Sequence, residues 1–297
     1  MLTDQGIILL EKTANEIRQS IISMLVTAGS GHTAGPLGMA DIFTTLYFHS
    51  LRHDPKNPTW PERDRLVLSN GHICPVLYAT MAHSGYFPVE ELQTLRKFGS
   101  RLQGHPHRDF LPYLENSSGP LGSGLSQAVG MAIADQINTK NRTGAELRGP
   151  SGIDRFIYCL LGDGELDEGQ NWEAAMLGSK ERLSNLIAIV DRNNIQIDGF
   201  TEDVMPLSPL YEKWKSFGWH VQQIDGHNFQ QIADAIEQAK AFFEKPSVII
   251  AHTIPGRGVK EFERKPEWHG KPPSKAEADM ALAELRTLGG KISSEHQ

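Results

Sequence analysis

The sequence predicts an α/β fold, a parallel sheet of about five strands with helices on both faces. Short apolar segments alternate with helical segments from residue 156 to residue 252, which is typical of right-handed βαβ units. Two of the apolar segments, Phe156–Leu161 and Leu186–Val190, end abruptly in loops of carboxylates, amides and glycines. With 297 residues, 39% of them hydrophobic, the chain can bury a sizeable core.

The composition excludes several classes of function. A net charge of −7 without a dominant basic block argues against nucleic acid or an anionic membrane as the main partner. The amino-terminal segment lacks the pattern of a signal peptide, and no apolar run approaches the roughly 20 residues of a membrane span. Two cysteines suggest neither a disulfide framework nor a thiolate metal site. We expect a single cytoplasmic domain over residues 1–297.

The first half of the chain is predicted to be mainly helical. Leu10, Ala14, Ile17 and Leu25 recur at helical spacing, and Gly29 stands where a C-cap glycine belongs. The expected elements are helix Asp4–Thr27, loop Ser30–Gly38, helix Met39–Leu51, strand Arg65–Ser69, a helix ending near His83, helix Val89–Phe98, the long loop Gly99–Gly119 and a small-residue helix after Gly119.

The second half carries the regular alternation. A polar surface loop, Asn141–Asp154, is expected before it. The expected elements are strand Phe156–Leu161, helix Asn171–Lys180, strand Leu186–Val190, helix Pro209–Phe217, strand His220–Ile224, helix Phe229–Phe243 and strand Ser247–His252. A loop and the helix Lys275–Leu288 follow from about residue 255 to residue 297.

The two strand-end loops suggest a metal site. Asp163 directly follows an apolar strand between Gly162 and Gly164, and Asn193 holds the equivalent position after the next strand. Their side-chain oxygens, with a nearby main-chain carbonyl such as that of Ile195, form the hard-oxygen set that Mg²⁺ prefers. Asp and Asn are also common turn residues for purely local reasons. The pairing of two such loops after two strands favours the metal site.

Five further loops accompany these two, and the seven segments together are LLGDGELDEG, DRNNIQIDG, SGHTAGPLGMADI, SNGHICPVLY, QGHPHRD, GPLGSGLSQAVGMA and EWHGK. These segments resemble the corresponding loops of transketolase, a thiamine diphosphate enzyme. The resemblance spans nearly the whole chain but covers only the diphosphate-binding, amino-terminal domain of a full transketolase. The chain therefore resembles the smaller subunit of a split transketolase.

The resemblance implies roles for particular residues. Mg²⁺, for which Ca²⁺ can substitute, would be held by Asp163, Asn193 and the carbonyl of Ile195. The residues implied for the cofactor are His72, Gly119, Pro120, Leu121, Gly164, Asn193 and His269. The residues implied for catalysis are His32, His105, His269 and Glu168, with the three histidines lining the substrate channel and Glu168 directed to the subunit interface. Histidine suits proton exchange with sugar hydroxyls near neutral pH.

The implied activity is transfer of a two-carbon ketol unit from a ketose phosphate to an aldose phosphate, in carbohydrate metabolism such as the pentose phosphate pathway. In the family the cofactor-activating glutamate comes from the pyrimidine-binding domain, and Glu165, Asp167 and Glu168 lie too near the metal loop to replace it. We therefore expect activity only with a carboxy-terminal subunit that carries this domain. Assembly as a dimer of heterodimers would use the helix from Gly122.

Alternative functions stay open at this point. The α subunit of a 2-oxoacid dehydrogenase first component shares the metal loop, although it does not require the four histidine loops. Deoxyxylulose-phosphate synthase shares several loops but normally continues into its pyrimidine domain. A non-catalytic scaffold that keeps the fold is the third alternative. The sequences HTAGPLG and QGHPHRD depart from the common transketolase pattern, which leaves the donor and acceptor sugars open.

Overall fold

The computed structural model describes residues 2–140 and 155–288, which form the expected α/β architecture around one parallel sheet. The sheet has five strands in the order β1-β2-β3-β7-β6, and every neighbouring pair is parallel. These strands are β1 Arg65–Leu68, β2 Ile157–Gly162, β3 Leu186–Arg192, β6 His220–Asp225 and β7 Ser247–His252. The predicted fold class is confirmed.

Helices cover both faces because alternate strand residues point to opposite sides. Leu160 and Ile189 belong to the larger core cluster, which also contains residues from the amino-terminal helices, whereas Leu161 and Val190 belong to the second cluster. The helices are α1 Asp4–Ala28, α2 Ala34–Gly38, α3 Ala40–Thr45, α4 Cys74–His83, α5 Ser123–Lys140, α6 Gly169–Lys180, α7 Thr201–Val204, α8 Leu210–Ser216, α9 Phe229–Ala241 and α10 Lys275–Leu288.

Two predicted helices in the first half were wrong in detail. The segment Met39–Leu51 is divided into α3, Ala40–Thr45, and one π-helical turn at Leu46–Ser50, and the predicted loop Ser30–Gly38 contains the short helix α2. The predicted helix Val89–Phe98 is a 3₁₀ helix that ends at Thr94. Arg96 has a φ of 59°, which no α-helix accommodates, and its guanidinium donates to the carbonyl of Gly104.

A small hairpin after β3 was not predicted. It pairs β4, Ile195–Gln196, with β5, Gly199–Phe200, in antiparallel register. The predicted polar loop Asn141–Asp154 lies outside the described residues. In the parts of the chain that the structure covers, no helix has the length and apolar character needed to cross a membrane. Cys74 and Cys159 are buried and free.

Candidate cofactor-binding site

The carboxyl ends of β1, β2 and β3 meet at one edge of the sheet, where a cavity of about 310 Å³ opens. It brings together most of the residues singled out from the sequence. Those that line it are His32, His72, His105, Gly119, Leu121, Asp163, Gly164, Asn193, Ile195 and His269. Loops from both ends of the chain and from its middle therefore build one pocket.

Glu168 and Pro120 do not line this cavity. Glu168 is the exposed N-cap residue of α6, and its side chain makes no capping hydrogen bond. Pro120 is exposed beside the cavity-lining residues Gly119 and Leu121. Both predicted roles therefore concern the rim of the site rather than its interior.

Asp163 lies at the base of the cavity with only 1% of its surface exposed. Its Oδ1 accepts from the N–H of Gly164 at 2.8 Å, and its Oδ2 accepts from the N–H of Asn194 at 2.7 Å and from Arg192 at 3.1 Å. Burial raises the pKa of Asp163 to about 6, although Arg192 and the two N–H groups favour the charged form. The ion pair with Arg192 was not predicted from the sequence.

The amide of Asn193 is oriented by its neighbours. Its Oδ1 accepts from the N–H of Ile195 at 3.0 Å, and its Nδ2 donates to Asp191 Oδ2 at 2.7 Å. Asp191 also accepts from the hydroxyl of Thr253, and burial raises its pKa to about 7. Asp191 begins the segment DRNNIQIDG, but its hydrogen bond to Asn193 was not predicted from the sequence.

The oxygens at this edge fit a hard cation. A carboxylate has about four lone-pair sites, of which the three contacts to Asp163 occupy three, and an amide oxygen has two, of which Asn193 uses one. Among the described residues, no group of three or more His, Cys, Asp or Glu side chains is arranged to hold a metal ion. The predicted set instead combines one carboxylate, one amide and one main-chain carbonyl.

Three histidines form a cluster on the wall of the cavity. The ring centroids of His32 and His72 are 4.8 Å apart, those of His72 and His269 are 5.2 Å apart, and those of His32 and His269 are 5.5 Å apart. His105 lies nearby, 3.9 Å from the point where a Cβ on Gly119 would stand. The structure therefore brings the four histidine loops together at one cavity.

All four imidazoles favour the neutral form. Burial lowers the pKa of His32 and of His269 to about 4, and the charges of His269, Arg96 and His105 add to the effect on His32. Burial lowers the pKa of His72 well below its usual value, and a smaller shift in the same direction affects His105. A neutral imidazole donates through one nitrogen and accepts through the other, so it can exchange protons with hydroxyl groups.

Glu165 is a third buried carboxylate, to which the sequence interpretation assigned no role. One of its oxygens accepts from Ser69 Oγ and from the N–H of Gly122 at 2.7 Å, and the other accepts from the N–H of Gly162 at 2.9 Å. These contacts join the loop after β1, the loop before α5 and the loop after β2. A glutamate directly after GDG was the available signal in the sequence.

Comparison with known proteins finds matches that all belong to one family. The family described as transketolase, thiamine diphosphate binding domain, matches residues 10–289. The 6-deoxy-6-sulfo-D-fructose transketolase subunit SqwG of Clostridium sp. (strain MSTE9) is 44% identical over 94% of this chain and 97% of its own length. An apulose-4-phosphate transketolase subunit from Actinobacillus succinogenes is 40% identical over 93% of this chain and 96% of its own length.

The fold of this chain also matches that of a solved structure from the same family. The crystal structure of transketolase from Campylobacter jejuni superposes with a TM-score of 0.85 at 38% identity. The match covers 94% of this chain and 43% of that transketolase, so this chain spans less than half of the length of that enzyme.

Proposed function

The chain belongs to the transketolase family, and from this premise we propose that it is the diphosphate-binding subunit of a two-subunit transketolase. The observation that carries the proposal is the convergence of Asp163, Asn193 and the histidine cluster on one cavity. Thiamine diphosphate, when bound, supplies the carbon nucleophile that cleaves a ketose and carries two of its carbons to an aldose. The protein has to bind this group, orient it and manage protons on the sugar.

In the proposed site, Asp163, Asn193 and the carbonyl of Ile195 hold Mg²⁺, or Ca²⁺ in its place. Each of the three lines the cavity. Arg192 holds Asp163 in position, and Asp191 holds the amide of Asn193. The remaining cofactor contacts are assigned to His72, Gly119, Pro120, Leu121, Gly164 and His269. Every one of them except the rim residue Pro120 lines the same cavity.

We assign the histidines of the cavity to contacts with the sugar substrate. Nδ1 of His32 and Nδ1 of His269 are buried and have no hydrogen-bond partner within the described ranges. We assign these two atoms to hydroxyl groups of the substrate, with His105 beside them at the more exposed end. Because the low pKa values keep the rings neutral, each ring can donate one hydrogen bond and accept another from the sugar hydroxyls at neutral pH.

The proposed substrates are sugars with an anionic end. The relatives named above are a transketolase subunit for 6-deoxy-6-sulfo-D-fructose and one for apulose 4-phosphate, so both name a sugar with a strongly acidic group. A ketose phosphate or sulfonate is therefore the donor class that we propose, with an aldose or aldose phosphate as acceptor, in carbohydrate metabolism.

The proposed partner is a subunit that carries the pyrimidine-binding domain. Two relatives of similar length are named as subunits, which supports an enzyme divided between chains. Glu168 is exposed at the rim, and Ile137 of α5 and Met176 of α6 are apolar side chains that are 54% and 55% exposed. We propose that this face meets the partner, in a dimer of heterodimers.

We propose that residues 1–297 act as one domain in the cytoplasm. The carboxy-terminal helix is tied to the first helix, because Asn15 donates to the carbonyl of Leu285 at 2.9 Å. The two free, buried cysteines fit a reducing compartment.

The test is reconstitution with the pyrimidine-domain subunit encoded in the same organism. We expect the full chain to bind thiamine diphosphate in the presence of Mg²⁺, and we expect the two subunits together to transfer a two-carbon unit between sugar phosphates. Asp163→Asn and His269→Ala should each lower the transfer rate by at least about a hundredfold, whereas His49→Gln at an exposed surface position is the control.

Each outcome bears on a separate part of the proposal. Substantial transfer by this chain alone would contradict the need for a partner. Full activity in both site variants would indicate a scaffold subunit instead of a catalytic one. Failure of the wild-type chain to bind the cofactor would overturn the assignment of the cavity.

A further inference from the structure

Asn70 stands out in the cavity wall because its side chain has no partner in the protein. The residue is 1% exposed, and neither Oδ1 nor Nδ2 makes a hydrogen bond within the part of the chain that the structure describes. It lines the same cavity as Asp163 and His72. Buried side-chain amides in native proteins are almost always hydrogen-bonded, so the free amide of Asn70 indicates a binding site for a ligand.

The backbone holds Asn70 in a fixed position. The N–H of Gly71 donates to the carbonyl of Ser69 at 2.8 Å, and Asn70 between them has φ −75° and ψ 64°. These values describe an inverse γ-turn, which is common where a strand ends. Ser69 is itself held on two sides, since its hydroxyl donates to Glu165 and accepts from the N–H of Gly124 at 3.0 Å. The main chain of Asn70 is therefore held in place before any ligand arrives.

The amide lies against the metal loop. Asn70 Cβ and Nδ2 are 3.6 Å and 3.7 Å from the point where a Cβ on Gly162 would stand, and Gly162 is followed by Asp163 and Gly164. A carboxamide NH₂ group donates two hydrogen bonds, and a group rich in acceptor oxygens is the ligand that satisfies it. Diphosphate is such a group.

We propose that Asn70 binds the diphosphate of the cofactor, with Nδ2 donating to a phosphate oxygen. This inference rests on the proposed function of the cavity and adds a residue to it. Oδ1 then accepts from water that enters with the cation, because Mg²⁺ commonly keeps several of its waters.

The test compares two ligands in calorimetric titrations of the full chain with excess Mg²⁺. The ligands are inorganic pyrophosphate, which has no rings, and thiamine diphosphate. Asn70→Ala should weaken the binding of both by about tenfold to a hundredfold, as expected for one hydrogen bond to a charged acceptor. Asn70→Asp should weaken both further, because it places a negative charge beside the phosphates.

A matched control is available in Asn228→Asp. Asn228 caps α9, where its Oδ1 accepts from the N–H of Gln231 at 3.0 Å, and a carboxylate keeps that acceptor. The control should bind both ligands as the wild type does.

Without ligand, Asn70→Ala should melt no lower than the wild type, since it removes polar atoms that have no protein partner. A purely structural role for Asn70 would lower the melting temperature.

Three results would overturn the inference. Equal pyrophosphate affinity in the wild type and Asn70→Ala, with normal cofactor binding, removes Asn70 from the site and leaves the proposed function intact. A loss of affinity for thiamine diphosphate alone would place the amide against the rings instead. If the wild-type chain binds neither ligand, the proposed function fails together with this inference.

Discussion

At the scale of single residues, burial sets the chemistry of the histidine cluster. His269 lies within 5.5 Å of His32 and 5.2 Å of His72, measured between ring centroids, and a proton on any one of them repels the others. The low pKa values therefore follow from a shared cavity that solvates charge poorly. The rings remain neutral through the physiological range, where a solvated histidine would be partly charged.

We predict that His269→Gln gains stability relative to the wild type in acid. The pKa of His269 falls from 6.5 to about 4 on folding. Between these two pH values, the unfolded state binds a proton that the folded state does not bind. The wild type therefore loses stability as the pH falls from about 6.5 to about 4, by at most about 3 kcal/mol from this residue. Urea unfolding of both proteins, followed by tryptophan fluorescence at several pH values, measures the difference.

The comparison needs a surface control, for which His49→Gln is suitable because His49 is exposed. The quantity of interest is the free energy of unfolding of the variant minus that of the wild type. If this difference stays constant between pH 7 and pH 4.5 for His269→Gln, burial does not control the protonation of the cluster.

At the scale of elements, the start of α5 is shaped by close contact with the end of β1. A Cβ on Gly124 would lie 2.4 Å from both Cβ and Oγ of Ser69, a distance that real atoms do not reach. Around the Cβ position of Gly130, in the same helix, no atom lies within 4 Å apart from the adjacent backbone of the helix itself. The two glycines thus occupy similar local structure and different tertiary surroundings.

We predict opposite effects for Gly→Ala substitutions at these two sites. Alanine is the better helix former by about 1 kcal/mol, so Gly130→Ala should stabilise the chain by up to about that amount. Gly124→Ala should destabilise it by about 1–3 kcal/mol, because the clash moves Ser69 and the carboxylate of Glu165 with it. Melting temperatures of both variants check the signs, and stabilisation by both would show that the close approach does not exist in solution.

At the scale of the whole molecule, a buried charged network joins distant parts of the chain. Arg18 of α1 forms two hydrogen bonds to Asp41 of α3 at 2.8 and 2.6 Å, and His227 Nδ1 donates to Asp41 at 2.7 Å. His227 Nε2 accepts from the N–H of Ile254 at 2.7 Å. Burial alone would raise the pKa of Asp41, but Arg18 and then His227 hold it well below its usual range. The network also holds α2, the helix that follows the loop carrying His32, because Arg18 donates to the carbonyl of Leu37 at 3.1 Å.

We predict that Asp41→Ala lowers the free energy of unfolding by about 3–5 kcal/mol, because it leaves the buried Arg18 without a counter-charge. The double variant Arg18→Met/Asp41→Ala should lose less, since neither charge is then buried alone. Denaturant unfolding of the wild type, Arg18→Met, Asp41→Ala and the double variant gives the coupling free energy. A double variant that is less stable than Asp41→Ala would contradict this explanation.

The sequence determined those features that depend on local order along the chain. The apolar strands, their alternation with helices, and the polar loops after β2 and β3 are all contiguous, and parallel strands place their carboxyl ends at one edge. The convergence of Asp163 and Asn193 on one cavity follows from that rule. The metal and cofactor roles of these residues stay predictions.

The tertiary structure alone decided what those residues contact. Arg96, within a predicted helix, has a left-handed φ and contacts Gly104, Arg192 pairs with Asp163, and Glu165 connects three loops. Asn70 was visible in the sequence only as part of SNGH, and its lack of a partner became apparent from the surrounding fold. The physical reason is the same in each case. Burial and hydrogen-bond partners depend on segments that are far apart in sequence, and neither propensity nor periodicity records them.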